Sequence, residues 1–574
     1  MAELVSGIAK LNPFSKRSID DEDKGEAIDA GTVAGGGHAS RESHIPKDQL
    51  RVSKGLQHHI IENNILHKPE SGSETEWVSA LREMLSRNHV NIPRELLDRN
   101  HPLPEYFISS SHNTYLMAHQ LYGESHAQAY EIALHTGSRC VEIDAWDNDD
   151  NADEPKVTHG YTLVSHIPFR EVCETIRDVV DREAANEMDA APILISLENH
   201  CGAHGQLRLV QIFQEVLGHR LLSQEVRDKG TREQNDPAKH EHVTLAELGN
   251  KVAVIVEYHL PDEQETSSSS SSSSDDEDQK QAHQAYVEQK KTAPTGTIIP
   301  ELANLGVYAQ SVKPVNNSWF EADLENAPHH QLINVSESGL KSHLPANSAK
   351  IARHNAHHLM RVYPKGTRIS SKNLAPVPFW SIGAQICALN WQTFGASSQI
   401  NEALFTGSSG YVLKPAALRA GGSGNLGTGR RKQLRLHVAG ATDIPLPKTR
   451  DPNEIKPYLT CTLVHPNDLN NMPPKRKTAV YKPHKLTGFM HKDNPPATEP
   501  LWKEVLEWEY EDNEMIFLRM LIKSDDSFSK NPLFAVAAVR LMYVVSDWVF
   551  VRMFDLAGHE TACTILVKFE FLDI

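Results

Sequence analysis

From about residue 104 to 260, short apolar runs alternate with longer amphipathic ones, a rhythm that leaves few architectures open. YFISSS, CVEIDAW, PILISLEN and KVAVIVEY read as strands, and SHAQAYEIALHTG and FREVCETIRDVVDREAANEM, with apolar residues three and four apart, read as helices between them. The pattern returns in HHQLINVSE, HLMRVYP, QICALNW and GYVLKP. Strands separated by helices pair in parallel, so the expected fold class is α/β with a parallel sheet, closed most simply as a (β/α)8 TIM-type barrel. Between the two stretches stands EQETSSSSSSSSDDEDQKQ, where Ser267 to Ser274 are followed by Asp275, Asp276, Glu277 and Asp278. Such a run has no apolar surface to bury, and residues 261–298 are expected to be a disordered linker that splits the barrel.

The chain has 574 residues, more than one core supports, so at least one further domain is expected. Within RAGGSGNLGTGRRKQ, residues 421–432 read as a Gly-rich hinge. The segment after it, 433–574, opens with QLRLHVAGATDIP, closes with TACTILVKFEFLDI and alternates with period two, which predicts an antiparallel β-sandwich. Residues 1–45, rich in Gly, Ala, Ser and charge, are expected to be disordered. Residues 46–100 carry two helical patterns, LRVSKGLQHHIIENNIL and EWVSALREMLSRNHV, without a D-x-[DN]-x-[DN]-G loop. They read as packing helices, with degenerate EF-hand-like segments as the alternative.

The net charge of −17 argues against nucleic acid as a partner. The six cysteines lie far apart with no CxxC pair, which fits a reducing compartment and neither a zinc site nor a disulfide scaffold. No apolar run approaches the ~18 residues of a membrane span, and the first residues lack a signal peptide's apolar region. The expected location is cytoplasmic, with any membrane contact peripheral.

In CVEIDAW, Glu142 and Asp144 fall on one side of the strand and Val141, Ile143 and Ala145 on the other. On a half-exposed sheet this is a solvated face. At the C-terminal end of a barrel strand it aims two carboxylates into the mouth, where they demand a cation. PILISLENH brings Glu198 and Asn199 to another strand end, KVTHGYT brings His159, and ISSSHNTYL brings His112 and Asn113. Oxygen ligands without thiolates suit a hard cation such as calcium or magnesium, and histidines off the metal suit proton transfer. Most of the 31 histidines are surface candidates instead, His58–His59, His329–His330 and His357–His358 among them.

ISSSHNTYL, GSRCVEIDAWD, VTHGYT and ILISLENHC closely resemble the X half of the catalytic domain of eukaryotic phosphoinositide-specific phospholipases C. LMRVYPKGTR, FWSIGAQICALNWQT and GYVLKPAALR resemble its Y half, and the terminal sandwich resembles the C2-type module that follows. The resemblance assigns 101–260 to the X half and 299–420 to the Y half, in the short, fungal-like arrangement. It implies calcium held by Asn113, Glu142, Asp144 and Glu198. It also implies catalysis by His112 on the phosphoryl oxygen, His159 on the departing diacylglycerol oxygen and Glu142 on the inositol 2-hydroxyl. Arg361 and Tyr363 match positions that hold the headgroup, and Asn334 stands where the family often has serine. The implied activity is calcium-dependent cleavage of phosphoinositides, through a cyclic phosphate, at a phosphoinositide-containing membrane. Regulatory protein partners are left open.

One element departs from the family. Members acting on the 4,5-bisphosphate usually carry two lysines at positions that here fall on Ile255 and Glu257, both aimed into the barrel. An apolar residue and a negative one predict reduced preference for the bisphosphate. Two rivals follow: a glycerophosphodiester phosphodiesterase, which leaves the Y-half motifs unexplained, and a catalytically weak lipid-binding or scaffold protein of phospholipase descent. In the sandwich, Asp443, Asp451, Asp525 and Asp526 sit in turn-like segments that either bind calcium or are ordinary acidic turns. Trp548 reads as core, and the basic segments RRKQLR and PKRKTAVYKPHK as solvated faces or anionic-headgroup contacts.

Overall fold

In the computed structural model the described residues are 25–29, 31–32, 45–46, 49–69, 72–117, 125–158, 166–185, 190–226, 243–256, 298–312, 319–321, 331–364, 373–448, 450–469, 472–483, 495–525 and 533–574. The linker at 261–297, His159, Glu257 and Asp526 lie outside them.

The parallel strands are β1 (Tyr106–Ile108) with its continuation β2 (Ser111–His112), β3 (Cys140–Trp146), β4 (Ile193–His200), β5 (Val252–Val256), β6 (Gln310–Val312), β7 (Gln331–Ser336), β8 (Leu359–Tyr363), and the broken last strand β9 (Ile386–Cys387) and β10 (Leu389–Asn390). Each pairs in parallel with the next from β3 to β9. The ring closes because Ile108 pairs with Ile386, β2 pairs with β10, and Ser110 bridges to Cys140. A closed ring leaves no barrel edge unpaired, which is how a sheet this long avoids sticky ends. β11 (Tyr411–Leu413) adds antiparallel to β1.

Period-two alternation sorts the side chains. Ile108, Cys140, Leu194, Ile255, Leu332 and Leu359 cluster in the barrel interior. Their neighbours Val141, Ile143, Ile195, Leu197 and Val254 pack outward against the helices that follow the strands. One of these, Phe169–Ala185, buries Phe169, Val172, Cys173, Ile176, Val179 and Val180 on one stripe. Its last buried position is Glu183, whose carboxylate takes both guanidinium nitrogens of Arg139 at 2.7 and 3.0 Å.

The terminal sandwich comprises β12 (Arg431–Thr442), β13 (Pro457–Val464), β14 (Lys475–Lys477), β15 (Leu501–Glu511), β16 (Phe517–Ser524), β17 (Leu533–Arg540), β18 (Trp548–Phe554) and β19 (Glu560–Asp573). It divides into β14-β13-β16-β17 and β18-β19-β12-β15, all antiparallel, with Val536 pairing with Phe554 between them. Leu434, Leu436, Leu459, Trp508, Ile522 and Val567 share its core. The sandwich locks onto the barrel through Trp380, Phe405 and Phe517, and Arg519 Nε donates to Gln399 Oε1 at 2.6 Å across the same seam.

The early helical segment is two helices, α1 (Lys54–Glu62) and α2 (Glu74–Ser86), capped by Ser53 and Ser73. Leu56, Ile60, Trp77, Leu81 and Met84 bury their shared face against Ala439, Phe550 and Leu566 of the sandwich. At about 1.5–3 kcal/mol for each large apolar side chain, this burial outweighs the weak propensity of short helices. Trp548 packs edge-on to His59 of α1, with ring centroids 5.7 Å apart.

The Gly-rich stretch expected as a hinge, 421–432, runs into the start of β12, and Gly424 within it has φ +73°, where a Cβ would lie 2.6 Å from Ala349 O. Residues 25–32, expected to be disordered, include an ordered strip between barrel and sandwich. Ile28 is buried and its N–H donates to Gln392 O at 3.1 Å, while Glu26 N–H donates to Leu556 O at 2.6 Å. A single apolar residue and a backbone ladder suffice to hold a segment whose composition carries no helical or strand period.

The same strip is clasped by His559, whose Nε2 meets Asp29 Oδ1 at 2.7 Å and Nδ1 meets Asp555 Oδ2 at 2.9 Å. Burial pulls the imidazole pKa down, but the two carboxylates outweigh it and raise the pKa overall. A raised folded-state pKa means that the clasp's contribution is fully present below about pH 6.5 and is lost as pH rises through the higher folded value. Amide-exchange protection at Ile28, corrected for intrinsic rate, is therefore expected to fall between pH 6 and 8. Replacing Asp29 by Asn should flatten that dependence, and a protection factor that ignores pH in the native chain would count against the clasp.

Candidate active site and metal centre

The C-terminal strand ends converge on one mouth because inward positions of neighbouring strands share layers. Glu142 stands level with Ser196 and Ile255, and Asp144 with Glu198 one layer further out. Oxygen atoms of Glu142, Asp144 and Glu198 lie within 4.8 Å of one another, and this is the group of potential metal ligands found among the described residues. Glu142 and Asp144 are buried, and Glu198 is half-buried. Three carboxylates this close repel strongly, so an all-oxygen set in a buried mouth fits a hard cation such as calcium.

Each ligand candidate is held by its neighbours. The turn after β2 places Asn113 in the left-handed region, with φ +47°, a conformation that asparagine tolerates better than most residues. Its N–H donates to Glu142 Oε2 at 2.7 Å, and Glu142 N–H in turn donates to Thr114 Oγ1 at 2.9 Å. Tyr115, two residues on, places its phenol 2.7 Å from Asp144 Oδ2 and 3.0 Å from Asn113 Oδ1. Burial and then the charges of Asp144 and Glu142 push the Tyr115 phenol pKa well up, which keeps its proton in place. His200 Nε2 lies 3.3 Å from Glu198 Oε1, and its ring stacks on Trp146 at 3.9 Å.

Arg361 joins the remaining parts. Its side chain and that of Glu142 are each 3 % exposed, and Nη2 donates to Glu142 Oε1 at 2.6 Å. Nη1 donates to Asn334 Oδ1 at 3.2 Å, and the guanidinium lies 5.8 Å from the Tyr363 ring. Asn334 and Arg361 are register partners on β7 and β8. His112 is the register partner of Asn390, and its Nδ1 lies 2.8 Å from Asn390 Oδ1. Asn390 is itself clamped, its N–H donating to Asn373 Oδ1 at 2.5 Å and its carbonyl accepting from Asn373 Nδ2 at 2.9 Å. Burial lowers the His112 imidazole pKa, with the Glu142 charge opposing.

The structure thus gathers Asn113, Glu142, Asp144, Glu198, His112, Arg361, Asn334 and Tyr363 at one end of the barrel. His159 lies outside the described residues, although Thr158 N–H donates to Asp144 O at 3.3 Å just before it. Ile255 points inward as expected and is fully buried in the layer of Glu142. Among the described residues the sandwich aspartates form no group of three potential ligands like that of the barrel. Asp443 pairs with Arg51 and Asp451 Oδ1 accepts from Asn453 N–H at 2.9 Å.

Tyr115, Asn390 and His200 were not singled out from the sequence. His200 had a signal, since it follows Glu198 by two and must share its face of the strand. Asn390 had none, because its partner His112 is 278 residues away.

Two family models match the chain: the X domain of phosphatidylinositol-specific phospholipase C over residues 99–258 and the Y domain over 302–417. A 1-phosphatidylinositol 4,5-bisphosphate phosphodiesterase 1 of Candida albicans is 29 % identical over 88 % of this chain and 51 % of its own length. The delta-1 enzyme of that name from Rattus norvegicus is 30 % identical over 83 % of this chain and 61 % of its own. The chain therefore spans about half to three-fifths of the length of these relatives. A crystal structure of PLC21 from L. pealei superposes with a TM-score of 0.68 at 22 % identity, covering 93 % of this chain and 65 % of that one, and so shares the fold. Two models matched in order on one split barrel, with similar relatives along most of the chain, show that this chain carries the X and Y domains of phosphatidylinositol-specific phospholipase C.

Proposed function

We propose that the chain is a phosphoric diester hydrolase that cleaves phosphoinositides to diacylglycerol and inositol phosphate, with calcium as its cation and a cyclic phosphate as intermediate. The observation that carries this reading is the packing of Glu142, Asp144 and Glu198 oxygens within 4.8 Å beside His112 and Arg361. Asn113, Glu142, Asp144 and Glu198 would hold the ion. Calcium when bound lowers the pKa of a coordinated hydroxyl and offsets charge building on the phosphoryl group.

The residues divide the rest of the work. Glu142 accepts the proton of the inositol 2-hydroxyl as that oxygen attacks phosphorus. His112, oriented by Asn390, hydrogen-bonds the phosphoryl oxygen on which negative charge grows. His159 gives a proton to the departing diacylglycerol oxygen, so bond making and breaking balance. Water then opens the cyclic phosphate by the reverse transfers. Arg361 forks onto a phosphate, while Tyr363 lies against the inositol ring and Asn334 donates to it.

The headgroup preference leans toward phosphatidylinositol or a monophosphate, since Ile255 supplies no charge in the layer of Glu142 and Glu257 is negative in sequence. The working location is the cytoplasmic face of a membrane, reached peripherally. No described helix is long and apolar enough to cross one.

The test is release of water-soluble inositol phosphates from vesicles containing phosphatidylinositol, its 4-phosphate or its 4,5-bisphosphate, with calcium or with chelator. Calcium-dependent release, fastest from the less phosphorylated lipids, is expected. Release that persists in chelator overturns the cation, and faster cleavage of the bisphosphate overturns the preference. No release from any lipid, with binding retained, would favour a lipid-binding protein instead.

A further inference from the structure

The turn that carries His112 and Asn113 ends in a tyrosine whose surroundings ask for more than a space-filling ring. Tyr115 is fully buried. Its phenol oxygen lies 2.7 Å from Asp144 Oδ2 and 3.0 Å from Asn113 Oδ1. A phenol has one proton and so donates to one acceptor at a time. The shorter contact, to a carboxylate, is the charge-assisted and stronger one. The contact with Asn113 is then favourable only when the amide turns its Nδ2 toward the phenol oxygen, an orientation with the same shape as its reverse. That arrangement satisfies the phenol as donor and acceptor together, and it assigns Asn113 Oδ1 to the cation. The backbone leaves Asn113 little other freedom, because its N–H is tied to Glu142 Oε2 at 2.7 Å and its carbonyl accepts from Gln392 Nε2 at 3.3 Å.

We propose that Tyr115 is a positioning residue for the metal centre, holding Asp144 and Asn113 at once in the rotamers that offer their oxygens to the cation. The proposal rests on the calcium reading above. It assigns no contact between Tyr115 and lipid or reacting atoms. Removing the hydroxyl alone frees both side chains, so the effect falls on cation affinity, where loss of a group that orients a ligand typically weakens binding by about 10- to 100-fold.

The test is calorimetric titration of the full chain with calcium chloride, without lipid, for the native protein, Tyr115→Phe and Asn113→Asp, with thermal unfolding in chelator as a control on the fold. Tyr115→Phe is expected to bind calcium about 10- to 100-fold more weakly, and to show a smaller calcium-induced rise in its unfolding temperature. Wild-type affinity in Tyr115→Phe would overturn the proposal. Asn113→Asp supplies an independent reading. An added carboxylate by itself should tighten calcium binding, but one phenol proton cannot serve two carboxylates, so weaker binding is expected and tighter binding would overturn the proposal. A native protein that binds no calcium would instead bring down the cation reading, and this inference with it.

Discussion

Glu142→Gln is expected to lower kcat/KM by at least about 1,000-fold, or about 4 kcal/mol of transition-state stabilisation. Three losses meet at this side chain. The amide cannot accept the 2-hydroxyl proton that the proposed mechanism gives to Glu142, and general-base catalysis alone is worth about 10²- to 10⁴-fold. It is also a poorer ligand than the carboxylate it replaces in the group of Glu142, Asp144 and Glu198. Finally, the guanidinium of Arg361 loses its charged partner at 2.6 Å. Glutamine keeps the shape of the side chain, so the unfolding transition should stay cooperative. Activity on phosphatidylinositol vesicles within tenfold of wild type would assign the base to another residue.

The second large effect concerns stability before chemistry. Arg361→Met removes a guanidinium 3 % exposed and leaves Glu142, also 3 % exposed, without its cationic partner. Breaking a buried pair by removing one member costs about 3–5 kcal/mol, because the remaining charge stays desolvated. The variant should therefore unfold at a clearly lower temperature in chelator. Combining it with Glu142→Gln should return part of that loss, since no orphaned charge then remains. Added calcium should also recover stability in Arg361→Met by binding only the folded chain. Equal unfolding temperatures for native protein and single variant would show that the pair contributes no net stability. Hydrolysis should fall in either case, as Arg361 is the phosphate fork of the proposed site.

Much of the barrel was readable because its signals are local. An inward face of Glu142 and Asp144 follows from alternation along one strand, and the helix Phe169–Ala185 announces itself by apolar residues three and four apart. Where local signals were thin the reading went wrong. Residues 25–29 and 31–32 read as disordered because a single buried isoleucine and a few backbone bonds carry no period. Glycines serve joints and crowded turns alike, so composition alone did not show the close approach of Gly424 to Ala349 within 421–432.

The sequence by itself settled which residues face inward on these strands and that carboxylate, amide and imidazole side chains stand at their C-terminal ends. It settled these because strand alternation is backbone stereochemistry, complete within a few residues. Which inward residues become neighbours was decided only by the closed barrel. Asp144 lies beside Glu198, Arg361 beside Asn334, and His112 beside Asn390, in registers set by strand pairing around the ring. Arg361 reaches Glu142 across the barrel from 219 positions along the chain. Closure brings those pairs together because every strand must satisfy its backbone on both sides, a condition that no single segment of sequence contains.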